Sequence, residues 1–206
     1  MFLLRPSSNR DPTLAIWSPA SEVVQYEIRD MAPYFFNRSP WVGTNREALD
    51  AMWADLYDFG TSGISPEEAS NLFNATAVAP LAEDVYLIEL QVIHDLHCLN
   101  MLRKVAYPDQ YPDMIDHYEN GTVNHDTTQG FHIDHCIDAL RQSIQCTADV
   151  TPIKWQHHPD DDYHVFPLTW STRTCRNFDA VRNWAKERQV PAWILDYGSK
   201  NKTRSS

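Results

Sequence analysis

The chain has 206 residues, 17 of them basic and 28 acidic, for a formal net charge of −11. That balance excludes a surface built to neutralise phosphates, because nucleic-acid binders carry a basic stripe; no nucleic-acid partner is expected. Hydrophobic residues at 43% and aromatics at 12% exclude a disordered acidic tail, and a chain of this length buries roughly 70% of its unfolded surface. It needs neither metal nor disulfide merely to fold, so a metal site here would serve chemistry. One domain spanning 1–206 is the simplest reading, although two small ones also fit the length.

Residues 1–20 carry Pro6, Pro12 and Pro19 and read as a surface arm. Their only apolar run, Phe2-Leu3-Leu4, is far short of the ~20 residues that cross a bilayer and lacks a signal-peptide core, so a soluble chain is expected. Glu22–Met31, with Val23, Val24, Tyr26 and Ile28, suggests a strand. Thr44 and Glu47 form a capping box that opens a helix through Leu49, Met52, Trp53 and Leu56 to about Gly60. Ser65-Pro66-Glu67-Glu68 starts a short helix to about Phe73.

Glu83–Val105 lacks Gly and Pro and repeats apolar residues at Val85, Ile88, Val92, Leu96, Leu99 and Leu102, which predicts one long helix. Residues 107–127, with Pro108, Pro112 and Asn120-Gly121, read as a loop. A second long helix is predicted over 129–146, with Ile133, Ile137, Leu140 and Ile144 on one stripe and Asp126, Thr127 and Thr128 as cap candidates. Residues 151–172, rich in Asp, His and Pro, read as another loop, and Asn177–Arg188 as an amphipathic helix. Residues 197–206 read as a flexible tail. The fold class that follows is α-rich: mainly helical, a few short strands, and a central pair of long helices.

Those two helices carry one repeated motif. His94-Asp95-Leu96-His97-Cys98 and His132-Ile133-Asp134-His135-Cys136 both read His-x-x-His-Cys. Positions i, i+3 and i+4 share a helical face, so His94, His97 and Cys98 project together, as do His132, His135 and Cys136. Facing helices of a bundle hold metals this way. Imidazole suits zinc, copper, iron and nickel alike. The cysteines are ligands or, alternatively, a Cys98–Cys136 disulfide between the helices, with Cys146–Cys175 a second bridge. Asp95 and Asp134 are candidates to orient imidazole N–H groups, or are simply solvated. Arg141 and Gln142 are candidates for a substrate carboxylate or halide, or for capping a loop. The sequons at Asn74, Asn120 and Asn201 are candidate glycosylation sites and point modestly to a secretory lumen.

At these residues the chain resembles the fungal UstYa-like family. The resemblance rests on Val92 through Lys104 with Tyr107-Pro108, on His132 through Pro152, on Thr174 through Asp179, and on Trp53 and Gly63-Ile64-Ser65 upstream; it covers about residues 17–190. It implies a copper-dependent oxidoreductase of fungal secondary metabolism, including mycotoxin biosynthesis, that cyclises, hydroxylates, desaturates or halogenates unactivated positions of a peptide or other small molecule with O₂ or peroxide. Carried onto this chain, it implies His94, His97, His132 and His135 as metal-binding and catalytic groups, with Cys98 and Cys136 as ligands or a bridge. It also permits a homodimer or a heterodimer with another family member. The family commonly carries an N-terminal membrane helix in the secretory pathway, which residues 1–206 do not display. Two rival expectations stand beside it. One is a non-redox cyclase using His and Asp as acid and base; the other is an accessory binding protein stabilised by structural zinc or disulfides. Zinc or iron is the alternative to copper.

Overall fold

In the computed structural model, the described residues are 3–4, 15–32, 38–158, 161–168 and 171–195. Along the chain they form β1 (Leu3–Leu4), β2 (Tyr26–Asp30), α1 (Arg46–Tyr57), β3 (Ser62–Ile64), α2 (Pro66–Ser70), β4 (Val78–Ala79), β5 (Ala82–Ile88), α3 (Gln91–Val105), α4 (Thr128–Thr147), β6 (Lys154–His158), β7 (Asp161–Leu168), β8 (Thr172–Arg176) and α5 (Phe178–Glu187). With five α-helices and eight strands among the described residues, the fold is mixed α/β rather than the α-rich one expected. The polypeptide divides into two compact units. One gathers residues 1–27, 57–93 and 176–206; the other gathers 28–56 and 94–175.

The first unit is organised by an antiparallel sheet in the order β3-β5-β4. Ser62 lies opposite Ile88 and Ile64 opposite Tyr86. This sheet corrects the helix expected from residue 83. Val85-Tyr86-Leu87-Ile88 is a β-branched and aromatic run, and a short apolar run has no period that separates strand from helix; pairing on both sides made it a strand. The helix begins only at Gln91. Ser65 caps α2 as expected, and a capping box with Glu68 completes the start; the helix ends at Ser70 rather than Phe73. Asn177 caps α5 by accepting from the Ala180 N–H. Ala20, Phe59, Ile64, Ile93, Trp184 and Ala185 make the core. Pro19–Val23 is a 3-10 turn with Pro19 and Ala20 buried, so the end of the expected surface arm is core, and Leu3–Leu4 pairs with Tyr26–Glu27. Residues 1–2 and 5–14 of that arm, and the expected tail, lie outside the described residues.

In the second unit, α1 starts one residue later than the Thr44 capping box implies: Asn45, not Thr44, accepts from the Ala48 N–H. Leu49 and Trp53 are its buried residues, and Trp53 stands edge-on to Trp41 at 5.8 Å while donating to the Trp41 carbonyl. A polar knot sits beside them. Arg103, 7% exposed, donates to Asp50 at 2.6 Å, to Asn100 at 2.6 Å and to the Tyr111 hydroxyl at 3.0 Å. The Tyr111 hydroxyl in turn donates to Asp50 at 2.8 Å. Burial works against the Asp50 carboxylate, but the hydrogen bonds from Tyr111 and Arg103 and the charge of Lys104 hold it below the usual range.

The expected loop over 151–172 is instead largely a hairpin. β6 and β7 pair antiparallel, with Trp155 opposite Pro167 and His157 opposite Val165. Its Asp, His and Pro content disguised the β-branched and aromatic residues interleaved among them. Trp155 and Val165 are exposed.

Candidate metal centre

Both His-x-x-His-Cys motifs lie in the second unit, on α3 and α4. The start of α4 sets the register of one of them. Thr127 accepts from the Gly130 N–H at 3.1 Å, the first-turn donor that a helix leaves open. Gly130 is required there: a Cβ would come within 2.6 Å of the Asn124 carbonyl and of the His125 Cα. From that start, His132, His135 and Cys136 follow on one side of the helix. The helix ends at Ala148, whose left-handed φ of 42° closes it with a bond to the Ile144 carbonyl.

The imidazoles meet across the helices in antiparallel order. His94 Nε2 lies 3.4 Å from His135 Nε2, and His97 Nε2 lies 3.4 Å from His132 Nε2. Ring centroids are 5.4 Å apart within each cross-helix pair, against 6.4 and 6.5 Å along each helix. The partners on α3 are half-buried, whereas His132 and His135 are exposed.

Below the rings, Cys98 and Cys136 are fully buried. Cys98 Sγ lies 3.8 Å from His94 Nε2. Burial pushes the Cys136 thiol up, against the opposing effect of a hydrogen bond with Cys98. All four cysteines are free thiols, Cys146 exposed and Cys175 half-buried, so neither expected bridge is formed here.

The donor set fits a first-row ion. Two nitrogens bound at about 2.0–2.1 Å and at the tetrahedral angle are separated by about 3.4 Å, and a thiolate sulfur at about 2.3 Å lies ~3.6 Å from such a nitrogen. Imidazole with thiolate suits copper in its reduced state, and zinc equally. His94, Cys98 and His135 form the one group of three or more such donors, among the described residues, whose ligand atoms all lie within 4.8 Å of one another.

The other expected residues have definite partners. Asp134 meets His125 Nδ1 at 3.1 Å, and Asp95 accepts from the Ser143 hydroxyl of α4. Arg141 and Gln142 both donate to Asp138, at 2.7 and 2.6 Å, and those bonds hold the Asp138 carboxyl below its ordinary range, with a smaller contribution from the charge of Arg141. Asn74 and Asn120 are exposed; Asn201 lies outside the described residues.

Sequence reasoning missed three neighbours. Phe131, exposed and one turn before His135, shares its side of the helix. The His125–Asp134 contact is not local in spacing and left no signal. The i, i+3 and i, i+4 relation of Asp138 to Arg141 and Gln142 was readable and would have paired them. Concave surfaces beside Gly63, Val85 and Val190 in the first unit and beside Pro40, Val42 and Met52 in the second are not lined by the motif imidazoles.

No helix among the described residues is long and apolar enough to cross a membrane. The family model described as "Mycotoxin biosynthesis protein UstYa" matches residues 1–188. The UstYa family oxidase phomYc of Diaporthe leptostromiformis is 32% identical over 88% of this chain and 75% of its own length. The UstYa family oxidase phomYc' of the same organism is 42% identical over 88% of this chain and 68% of its own. The UstYa family oxidase aprY of Aspergillus flavus is 31% identical over 87% of this chain, which spans 58% of that relative. No solved structure matches. A family match that runs through both histidine helices, together with relatives named as oxidases, makes this chain a member of the UstYa family and an oxidoreductase.

Proposed function

We propose that this chain is a copper-dependent oxidase that tailors a peptide or other small-molecule intermediate of secondary metabolism by functionalising an unactivated C–H bond. The observation that carries the reading is the meeting of the two motifs as imidazole pairs with Nε2 atoms 3.4 Å apart. Bound there, copper would supply one-electron chemistry with O₂ or peroxide.

The remaining work falls to the protein. His94 and His97 are fixed from the half-buried side, while His132 and His135 present their rings towards solvent, so a substrate reaches the centre from the α4 side. Phe131 offers an apolar surface beside His135 on which a substrate's carbon skeleton can rest. Cys98 and Cys136 close the floor and keep water from beneath the rings. Arg141 and Gln142, gathered on Asp138 one turn past His135, are placed to bind an anionic group of the substrate by exchanging that carboxylate for it. The exposed sequons Asn74 and Asn120 favour a secretory lumen as its location.

The test is reconstitution of metal-free protein with copper, followed by elemental analysis and oxygen uptake with candidate substrates. Bound copper and substrate-dependent oxygen consumption are expected, with less copper bound and oxygen consumption lost in His94→Ala and in His132→Ala. A colourless protein that retains zinc, refuses copper and consumes no oxygen would replace the reading with a structural zinc site.

A further inference from the structure

The doubled motif raises the question of how many ions it holds. Two nitrogens on one ion at about 2.0–2.1 Å can be at most ~4.2 Å apart, and then only on opposite sides of it. Every ligand atom of a shared ion must meet that limit with every other. Among the described residues, the one set of three or more donors that stays even within 4.8 Å is His94, Cys98 and His135. His97 and His132 satisfy the limit with each other, at 3.4 Å, and neither belongs to that set. The four rings therefore form two facing pairs and do not surround one point; the 6.4 and 6.5 Å centroid spacings along the helices agree.

The two pairs are also chemically unequal. The sequence repeat places a cysteine four residues after the first histidine in each copy, but only Cys98 stands with its pair. Cys136, equally buried, is hydrogen-bonded to Cys98 and is not grouped with His97 and His132. One pair is thus completed by sulfur, and the other leaves at least two of four tetrahedral positions for water or small molecules.

We propose that the chain binds two metal ions in distinct sites: one at His94, His135 and Cys98 with a nitrogen-and-sulfur donor set, and one at His97 and His132 with nitrogen donors and open positions. This rests on the reading above that these imidazoles hold a metal, and it gives the two copies of the motif different jobs. The sulfur-bearing site favours a soft, reduced ion, and the open site is the one that small reactants can enter.

Anaerobic titration of the metal-free chain with Co(II), read by elemental analysis and by the thiolate-to-cobalt charge-transfer band in the near ultraviolet, tests it. Two equivalents are expected in the wild type. His97→Ala and His132→Ala should each keep one equivalent and the full charge-transfer band. His94→Ala and His135→Ala should each keep one equivalent and lose the band, and Cys98→Ser should lose the band with the His97/His132 equivalent intact. Circular dichroism checks the fold of each variant, and the wild-type stoichiometry decides by itself where a variant fails to fold. One equivalent in the wild type, lost alike in all four histidine variants, overturns the two-site proposal while leaving the metal reading intact. No cobalt and no copper bound overturns both.

Discussion

Replacing Asp50 by Ala tests whether the polar knot beside α3 holds the second unit together. The change removes the acceptor of the Arg103 bond at 2.6 Å and the Tyr111 bond at 2.8 Å, leaving a guanidinium that is only 7% exposed. Removing one member of a buried pair costs about 3–5 kcal/mol, because the other charge is left uncompensated. The Asp50 side chain is itself 32% exposed, so water relieves part of that cost and ~3 kcal/mol is the expected loss. At an m-value of about 2 kcal/mol/M the urea midpoint should fall by ~1.5 M. Asp50→Asn keeps an acceptor but not the charge and should fall about half as far. An Asp50→Leu, Arg103→Met double variant removes both charges and should recover much of the loss. A fall under ~0.5 M for Asp50→Ala would place the pair with ordinary surface bridges and refute the reasoning.

Further predictions concern the same unit. Asp50 has a folded pKa below its unfolded value, so its contribution is complete above the unfolded value of about 3.9 and is lost as pH falls through the folded one; urea midpoints of the wild type should decline below pH ~4 more steeply than those of Asp50→Asn. Gly130→Ala forces a methyl against the Asn124 carbonyl and His125 Cα at 2.6 Å and should cost about 1–3 kcal/mol, read by thermal melting; an unchanged Tm would show that the loop yields freely. Under reducing conditions, iodoacetamide should modify the exposed Cys146 while the fully buried Cys98 and Cys136 react only on unfolding, as peptide mass spectrometry would show. Early modification of Cys98 would mean that the floor beneath the imidazoles is open.

Much of the helical skeleton could be read from the sequence because its signals are local. Ser65 with Glu68, Thr127, and Asn177 are cap residues that act within one turn, and α4 and α5 begin and end within a residue or so of the expected bounds. The histidine faces were readable for the same reason, since helical spacing alone aligns His94 with His97 and His132 with His135. Among the strands, β2 was legible within Glu22–Met31, and β5 to β7 were not. β5 needs β3 and β4 on either side before Val85–Ile88 stops resembling a helix, and β6 needs β7 before Lys154–His158 has any ladder. Those partners lie outside the segment itself, whether just along the chain, as β7 is from β6, or further back, as β3 is from β5, and they leave no mark within it. The division of four imidazoles into two pairs was likewise hidden, because motif spacing fixes which residues share a helix face and says nothing about the distance between faces.

The burial along α4 has one more consequence. Its buried residues, Gly130, Ile133 and Cys136, all fall in the first half of a 20-residue helix, so the remaining turns are held mainly by their own hydrogen bonds. Fraying from the C-terminal end should therefore cost far less than global unfolding, and amides near Gln145 should exchange with deuterium well before those near His135. The imidazoles sit on the anchored half, so the helix can lose its last turns in solution without disturbing the spacing on which chemistry depends.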